Sequence, residues 1–221
     1  MNIFEKHEIF EIEVLEKLKN ARLLDSLVFG GGTMLRLCHE LKRYSVGLDF
    51  WRIKDTAETT LFDKFKDVLQ QNYDITDAQM KHFTILLEIR SGYFPKRLKI
   101  EIRKEIRDWD FQEKIAYSRF STKQVVLRAH TLEQTMKNKI AALLERVEIR
   151  DGFDIEFLLR QGIPLPDLSD ADKTKMIARL DGFKENDFKV KLGSILESDI
   201  RAYYIENQFN YLKRKLASFE T

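Results

Sequence analysis

The sequence is poor in the residues that build disulfide frameworks and zinc sites. Its 221 residues include one cysteine, Cys38, which excludes an internal disulfide. The four histidines, His7, His39, His82 and His130, show no zinc-ligand spacing. We therefore expect any bound metal to be held by oxygen atoms.

Long apolar runs are also missing. No stretch approaches the roughly 18 residues that a membrane helix requires. The first 19 residues are amphipathic and acidic, unlike a secretory signal. With 43% hydrophobic and 33% charged residues, the composition is that of a soluble globular protein. We expect a cytoplasmic location and no membrane partner.

The formal charge of +2 does not by itself indicate a nucleic-acid partner. Cations are concentrated in residues 95–107 and 211–215. These runs form either a solvated face or a basic surface for RNA or nucleotide phosphates.

Hydrophobic periodicity predicts a change of architecture along the chain. Helix and strand patterns alternate in the first half, and only helical periodicity follows from residue 130. The predicted elements are helices at 9–24, 33–41 and 57–71, and strands at 48–53, 83–90 and 97–104. The last two strands are separated by a Gly and Pro turn, which predicts an antiparallel hairpin. We predict an α+β fold, with a small mixed β-sheet and flanking helices over residues 1–125 and a helical bundle over 126–221.

A glycine-rich turn at residues 30–32 precedes a helix, and Thr33 is suited to cap that helix. Glycines let backbone amides approach a ligand, and a helix amino end carries partial positive charge. The turn is therefore either a cradle for triphosphate oxygens or a tight turn required by packing.

The strand after this helix ends in a single carboxylate, Asp49. A D-x-D pair on a strand would direct two carboxylates to one point and hold a divalent ion, but position 47 is Gly. Glu101 could supply a second carboxylate from the strand at 97–104, where it alternates with buried apolar positions. That pattern equally fits a salt-bridged, solvent-facing strand.

The helix near residue 140 adds cations. If it continues unbroken to about residue 150, Lys139, Arg146 and Arg150 form one row beside an apolar stripe. Cations at such a boundary pair with a phosphate or with a neighbouring carboxylate. Asp151 and Asp154 follow directly, and an Arg150–Asp154 pair on one helical turn is the structural alternative.

Taken together, these segments resemble the AbiEii/AbiGii-type nucleotidyltransferases, toxins of bacterial abortive-infection and toxin–antitoxin pairs. The family pattern is a GGT turn, then R-x-S-x-D-L-D-F, an acidic strand, and K-x-x-A-L-x-x-R-x-x-x-R-D-x-x-D. The chain has GGTMLRL at 31–37, RYSVGLDF at 43–50, KIEI at 99–102 and KIAALLERVEIRDGFD at 139–154. Their order and spacing match over most of residues 29–160.

The resemblance implies a polymerase-beta-like nucleotidyltransferase domain, a helical domain and an active site in the cleft between them. The partners it implies are an NTP, an acceptor that is RNA (such as tRNA) or protein, and a cognate antitoxin. The implied cofactor is Mg²⁺. The implied site residues comprise phosphate-binding Gly31, Gly32, Thr33, Ser45 and Arg146, metal-binding Asp49 and Glu101, and Lys139, Asp151 and Asp154 for triphosphate charge and catalysis.

Gly47 departs from this pattern, because the family has the first aspartate of D-L-D at that position. Three explanations are open. The chain is a natural pseudoenzyme, a toxin inactivated by substitution, or an enzyme that recruits another carboxylate such as Asp55. A catalytically silent module that binds nucleotide, RNA or an antitoxin is the alternative to a transferase.

Overall fold

A computed structural model describes residues 1–218 of the chain. The chain forms two compact units. The first comprises Met1–Glu40 and Ser45–Thr131, and the second comprises Leu41–Tyr44 and the chain from Leu132 onward. The expected boundary near residue 125 lies within the last strand of the first unit. Residues 219–221, which the expected helical domain includes, lie outside the described part of the chain.

The first unit is built on a seven-stranded sheet with strand order β3-β4-β5-β2-β1-β7-β6. Pairs β2–β5 and β1–β7 are parallel and the others are antiparallel, so the sheet is mixed as predicted. Its elements are α1 (Ile3–Asn20), β1 (Leu27–Gly30), α2 (Gly31–His39), β2 (Leu48–Arg52), α3 (Glu58–Gln70), β3 (Asp74–Met80), β4 (Thr84–Arg90), β5 (Leu98–Ile106), β6 (Phe111–Tyr117) and β7 (Gln124–His130). A 3-10 turn at Leu23–Ser26 joins α1 to β1.

The central strand β2 has one face in the core and one face that is partly exposed. Leu48 and Phe50 are buried, whereas Asp49 and Trp51, which point the other way, are only half-buried. Helices α1, α2 and α3 all pack against the sheet. The alternation confirms the predicted strand at 48–53 and places Asp49 on the partly exposed face.

The predicted hairpin is confirmed, because β4 and β5 are antiparallel neighbours. Leu98, Ile100 and Ile102 are fully buried, as the alternation indicated. The predicted helices in this unit also exist. However, α1 begins at Ile3 rather than at residue 9, because Asn2 and Glu5 form a capping box there. Strands β1, β3, β6 and β7 were not predicted.

The second unit is helical. Its helices are α4 (Leu132–Arg146), α5 (Ile149–Arg160), α6 (Asp170–Asp181), α7 (Ser198–Asn207) and α8 (Asn210–Ala217), with a π-helical segment at Asp187–Leu192. Segment 41–44 joins this unit through an antiparallel bridge between Arg43 and Leu196. Within residues 1–218, no helix combines the length and apolar character needed to cross a membrane.

The helix near residue 140 does not continue to residue 150, so that expectation was wrong. Helix α4 ends at Arg146, Val147 has a left-handed φ of 52°, and α5 starts at Ile149. Arg150 therefore lies on a different helix from Lys139 and Arg146. The proposed row of three cations does not form.

Candidate functional site

Asp49 and Glu101 are brought together by the pairing of two parallel strands. They are register partners on β2 and β5, which are far apart in sequence. Register partners on parallel strands point to the same face, and neighbouring strands lie about 4.8 Å apart. Both side chains are half-buried. The two carboxylates that sequence reasoning chose as metal ligands therefore lie side by side.

Glu101 also forms an ion pair, as expected for the alternative of a salt-bridged, solvent-facing strand. Lys99 Nζ lies 2.7 Å from Glu101 Oε1, and the lysine side chain is half exposed. An exposed pair of this kind contributes little stability. Glu101 therefore lies beside Asp49 and is at the same time paired with the half-exposed Lys99.

The glycine turn lies directly against Asp49. Gly30 ends β1 as the register partner of Asp49, and Gly31 begins α2 with a φ of 75°. A side chain at Gly31 would collide with the Asp49 carboxylate. This close approach explains why the position is glycine, and it brings the amino end of α2 to the carboxylate pair.

Thr33 does not cap α2 as predicted, because the N-cap residue is Gly30. Its hydroxyl is buried and donates a hydrogen bond of 2.6 Å to the carbonyl of Gly47. Ser45, the other predicted phosphate-binding hydroxyl, is half-buried in the segment before β2. Gly32 is buried within the first turn of α2.

Gly47 adopts a backbone conformation that favours glycine, with a φ of 145°. Its N–H donates to Glu11 Oε1 at 3.1 Å. A Cβ at this position would lie 3.3 Å from the carbonyl oxygen of Lys99. Gly47 therefore lacks the carboxylate of the family's aspartate, and its backbone conformation also disfavours any side chain.

Glu11 is a residue of this site that sequence reasoning missed. Its side chain is 1% exposed on α1, and burial raises its pKa well above the usual range. The Gly47 N–H and the Thr33 hydroxyl oppose this shift only in part. The sequence did contain one indication of a buried carboxylate. Glu11 lies four residues before Leu15, on the apolar stripe of an amphipathic helix.

Asp55, considered as a substitute ligand, is fully exposed and lies 3.6 Å from the guanidinium of Arg52. Arg52 also donates to the carbonyls of Thr56 and Lys104. Among residues 1–218, no group of three or more His, Cys, Asp or Glu side chains could hold a metal ion. The carboxylates available beside the glycine turn are Asp49 and Glu101, which suffices for Mg²⁺ when substrate phosphates complete its shell.

In the second unit, Lys139 is held between the two predicted acidic residues. Its Nζ lies 3.2 Å from Asp151 Oδ1 and 2.6 Å from Asp154 Oδ2. Lys139 is 7% exposed and both aspartates are fully buried. The sequence allowed either a phosphate or a carboxylate as the partner of Lys139, and the structure shows two carboxylates.

Two arginines complete this cluster. Arg43 donates to both oxygens of Asp154 at 2.6 and 2.7 Å, and Arg146 donates to both oxygens of Asp151 at 2.9 Å. Burial would raise the pKa of Asp154, but the charges of Arg43 and Lys139 outweigh burial and lower it. The suggested Arg150–Asp154 pair is replaced by Arg43–Asp154.

Comparison with known proteins agrees with this architecture. The family described as nucleotidyl transferase AbiEii toxin, type IV TA system, matches residues 13–204. A Helicobacter pylori protein described as a candidate nucleotidyltransferase shares the fold, with a TM-score of 0.55 and 19% identity over 96% of this chain and 98% of its own. No curated protein matches the sequence.

Two further solved structures are similar at lower scores. JHP933 from Helicobacter pylori has a TM-score of 0.48 and 18% identity, covering 96% of this chain and 98% of its own. MenT4, a nucleotidyltransferase toxin from Mycobacterium tuberculosis, has a TM-score of 0.49 and 14% identity, covering 95% of this chain and 89% of its own.

Proposed function

The chain belongs to the AbiEii family of nucleotidyl transferase toxins of type IV toxin–antitoxin systems, and we propose that it binds an NTP with Mg²⁺ and transfers a nucleotidyl group to an RNA or protein acceptor. The observation that carries this proposal is the pairing of Asp49 with Glu101 beside the Gly31 turn. Two carboxylates together with substrate phosphates are a common way of binding Mg²⁺ in nucleotide sites.

The phosphates would bind at the amino end of α2. The first backbone amides of this helix belong to Gly31, Gly32 and Thr33, and the helix dipole favours an anion there. Because glycine at position 31 allows close approach, the same turn serves both the phosphates and the Asp49 carboxylate. Ser45, which precedes Gly47, would add a hydroxyl donor to the phosphates.

The reaction would be an in-line substitution at the α-phosphorus. The acceptor hydroxyl oxygen forms a new bond to phosphorus, the bond to the β-phosphate oxygen breaks, pyrophosphate leaves and the hydroxyl proton passes to a base. Bound Mg²⁺ would stabilise the charge on the entering and leaving oxygens. In the second unit, Asp151 and Asp154 would fix the orientation of the Lys139 ammonium group through contacts of 3.2 and 2.6 Å.

Gly47 is expected to slow this reaction, because it offers no side-chain ligand. A loss of about 4 kcal/mol of transition-state stabilisation slows turnover about a thousandfold. We therefore propose a weak transferase that retains NTP binding. We also propose that it acts in the cytoplasm and has a cognate antitoxin, since its family consists of toxins from toxin–antitoxin systems.

The decisive experiment measures NTP binding and transfer separately. Calorimetry would give the Kd of each of the four NTPs with Mg²⁺, and α-labelled NTP would report transfer to total RNA or protein, distinguished by nuclease and protease. Asp49→Asn and Glu101→Gln should each weaken Mg²⁺-dependent binding about tenfold or more. Asp63→Asn, on the exposed side of α3, is the matched control.

A catalytically silent binding module is the second candidate. It is favoured by the conformation of Gly47, whose φ of 145° disfavours the aspartate of the family pattern. Mg²⁺-dependent NTP binding without transfer to any acceptor would support the module. Absence of NTP binding by the wild type would contradict both candidates in their nucleotide-dependent form.

A further inference from the structure

Glu11 is a buried carboxylate to which the proposed reaction assigns no role. A carboxylate on the apolar side of a helix is costly to bury unless hydrogen bonds compensate for the lost water. Glu11 is buried between Phe10 and Ile12 in α1, where both neighbours are fully buried. The hydrogen bonds of Glu11 should therefore show what compensates for its burial.

The contacts of Glu11 reach the two segments that build the candidate site. Its Oε1 accepts the N–H of Gly47 at 3.1 Å and lies 3.4 Å from the Thr33 hydroxyl. The same hydroxyl donates to the carbonyl of Gly47 at 2.6 Å. Both backbone polar groups of Gly47 are thus bonded, one to α1 and the other to the first turn of α2.

Gly47 lies immediately before β2, and Asp49 is the second residue of that strand. A shift at Gly47 would move the start of β2 and with it the carboxylate. Thr33, whose hydroxyl donates to the Gly47 carbonyl, lies two residues after Gly31. Gly31 in turn lies against the Asp49 carboxylate. Glu11 therefore connects the segment that carries the metal ligand to the turn that would hold the phosphates.

We propose that Glu11 is a positioning residue, which fixes Gly47 and Thr33 relative to each other and so sets the position of Asp49 against the glycine turn. The proposal rests on the nucleotide site described above and assigns to it a residue on α1. Glu11 does not act as a metal ligand, because its side chain is buried and its Oε1 is occupied by the Gly47 N–H.

This role is distinguishable from simple packing. Gln has nearly the shape of a neutral Glu and keeps an oxygen that accepts the Gly47 N–H. Leu keeps apolar volume but has no acceptor. If Glu11 only filled space, Leu would serve as well as Gln, whereas a positioning role requires Gln to be clearly better than Leu.

The experiment compares Glu11→Gln with Glu11→Leu in the full chain. Amide hydrogen exchange over residues 45–49 reports the order of the segment, and calorimetry reports the Kd for NTP with Mg²⁺. Glu11→Leu should accelerate exchange at Gly47 and raise the Kd about tenfold or more, as loss of a supporting contact does at metal sites. Glu11→Gln should keep both values close to those of wild type.

Glu13, which is half-buried on the same helix, supplies the matched controls Glu13→Gln and Glu13→Leu. If Glu11→Leu does not fold, Glu11→Met removes the acceptor with an unbranched apolar side chain that adapts more readily to the site. This variant should also accelerate exchange at Gly47 and weaken NTP binding.

Each result has a definite meaning. Unchanged NTP affinity in Glu11→Leu, or in Glu11→Met where the leucine variant does not fold, would overturn the positioning role, even if exchange became faster. If the wild type itself binds no NTP, the proposed function fails, and hydrogen exchange alone decides the role of Glu11. Protection of Gly47 that survives in Glu11→Leu would then overturn it, and protection lost there but kept in Glu11→Gln would support it.

Discussion

The carboxylate of Asp49 lies against the α-carbon of Gly31, so closely that a side chain at position 31 would occupy its place. The contact lies at the end of β1, where Gly30 is the register partner of Asp49 on β2. One small residue thereby allows an acidic ligand and a helix amino end to lie together. The contact makes the glycine turn part of the proposed site rather than a simple connection between elements.

Gly31→Ala should therefore damage both stability and NTP binding. The methyl group would displace Asp49, and a φ of 75° is strained for alanine. We expect a loss of about 1–3 kcal/mol in the free energy of unfolding, measured in urea, together with weaker binding of Mg²⁺ and NTP. Gly92→Ala is the control, because a side chain at Gly92 meets nothing within 4 Å. Equal behaviour of the two variants would contradict the close contact.

Asp154→Asn should destabilise the second unit strongly. The substitution removes the charge that compensates Arg43 and Lys139, both of which are almost completely buried. Breaking a buried ion pair by changing one partner costs about 3–5 kcal/mol. Asp170→Asn is the control, since the exposed Asp170 pairs with Lys173 and surface pairs of this kind contribute about 0–1 kcal/mol. Chemical denaturation of both variants at neutral pH provides the measurement.

The same aspartate should contribute to unfolding in acid. Its pKa is lowered in the folded state, despite the opposing effect of burial, by Arg43 and Lys139. Its stabilising effect is therefore complete above the ordinary aspartate pKa of about 4 and is lost as the pH falls below it. Denaturation midpoints between pH 5 and pH 2 should decline less steeply in Asp154→Asn. A parallel decline in both proteins would contradict this assignment.

Glu11→Gln should change the stability profile in the opposite pH range. Burial raises the pKa of Glu11, so its favourable neutral form is lost as the pH rises from about 4.5 through the folded-state pKa. Each unit by which the pKa is raised corresponds to about 1.4 kcal/mol. We expect Glu11→Gln to be more stable than wild type at pH 8, with the difference shrinking toward pH 5.

The other groups around Glu11 do not remove this effect. His7 lies 3.7 Å from its Oε1, but burial and Lys96 lower the histidine pKa to about 4, so His7 is neutral over this range. Glu8 raises the pKa of Glu11 further, and Arg36, which binds Glu8 at 2.9 Å, lowers it only partly. An identical pH profile in wild type and Glu11→Gln would show that Glu11 is ionised throughout.

Strand patterns in the sequence predicted three of the seven strands, β2, β4 and β5. Burial alternates along β2 and along residues 98–103 of β5, whereas β4 contains a continuous apolar run at 85–87. Alternation fixed the face of Asp49 and of Glu101 within each strand. It could not show that the strands are neighbours, since α3, β3 and β4 lie between them in sequence. The family resemblance, rather than periodicity, selected these two carboxylates as a pair.

Other features could not be predicted because nothing local signals them. The break between α4 and α5 occurs at Val147, which has a left-handed φ but is neither Gly nor Pro. Strand β3 is polar along most of its length and pairs only with β4, so it lacks the alternation of a half-buried strand. The contact between Glu11 and Gly47 joins residues 36 positions apart, and only the folded chain brings them together.

The final prediction concerns the aspartate that the family pattern places at position 47. Gly47→Asp would restore a carboxylate two residues before Asp49, but φ there is 145°, which is strained for any side chain. Moving φ to a negative value would disturb the Gly47 bonds to Glu11 and Thr33. We expect a loss of about 1–3 kcal/mol in unfolding free energy and transfer no faster than wild type. Gly92→Asp, on an open turn, controls for the added charge. Faster transfer at wild-type stability would instead show that the segment readily adopts the family's conformation and that the missing carboxylate alone limits the rate.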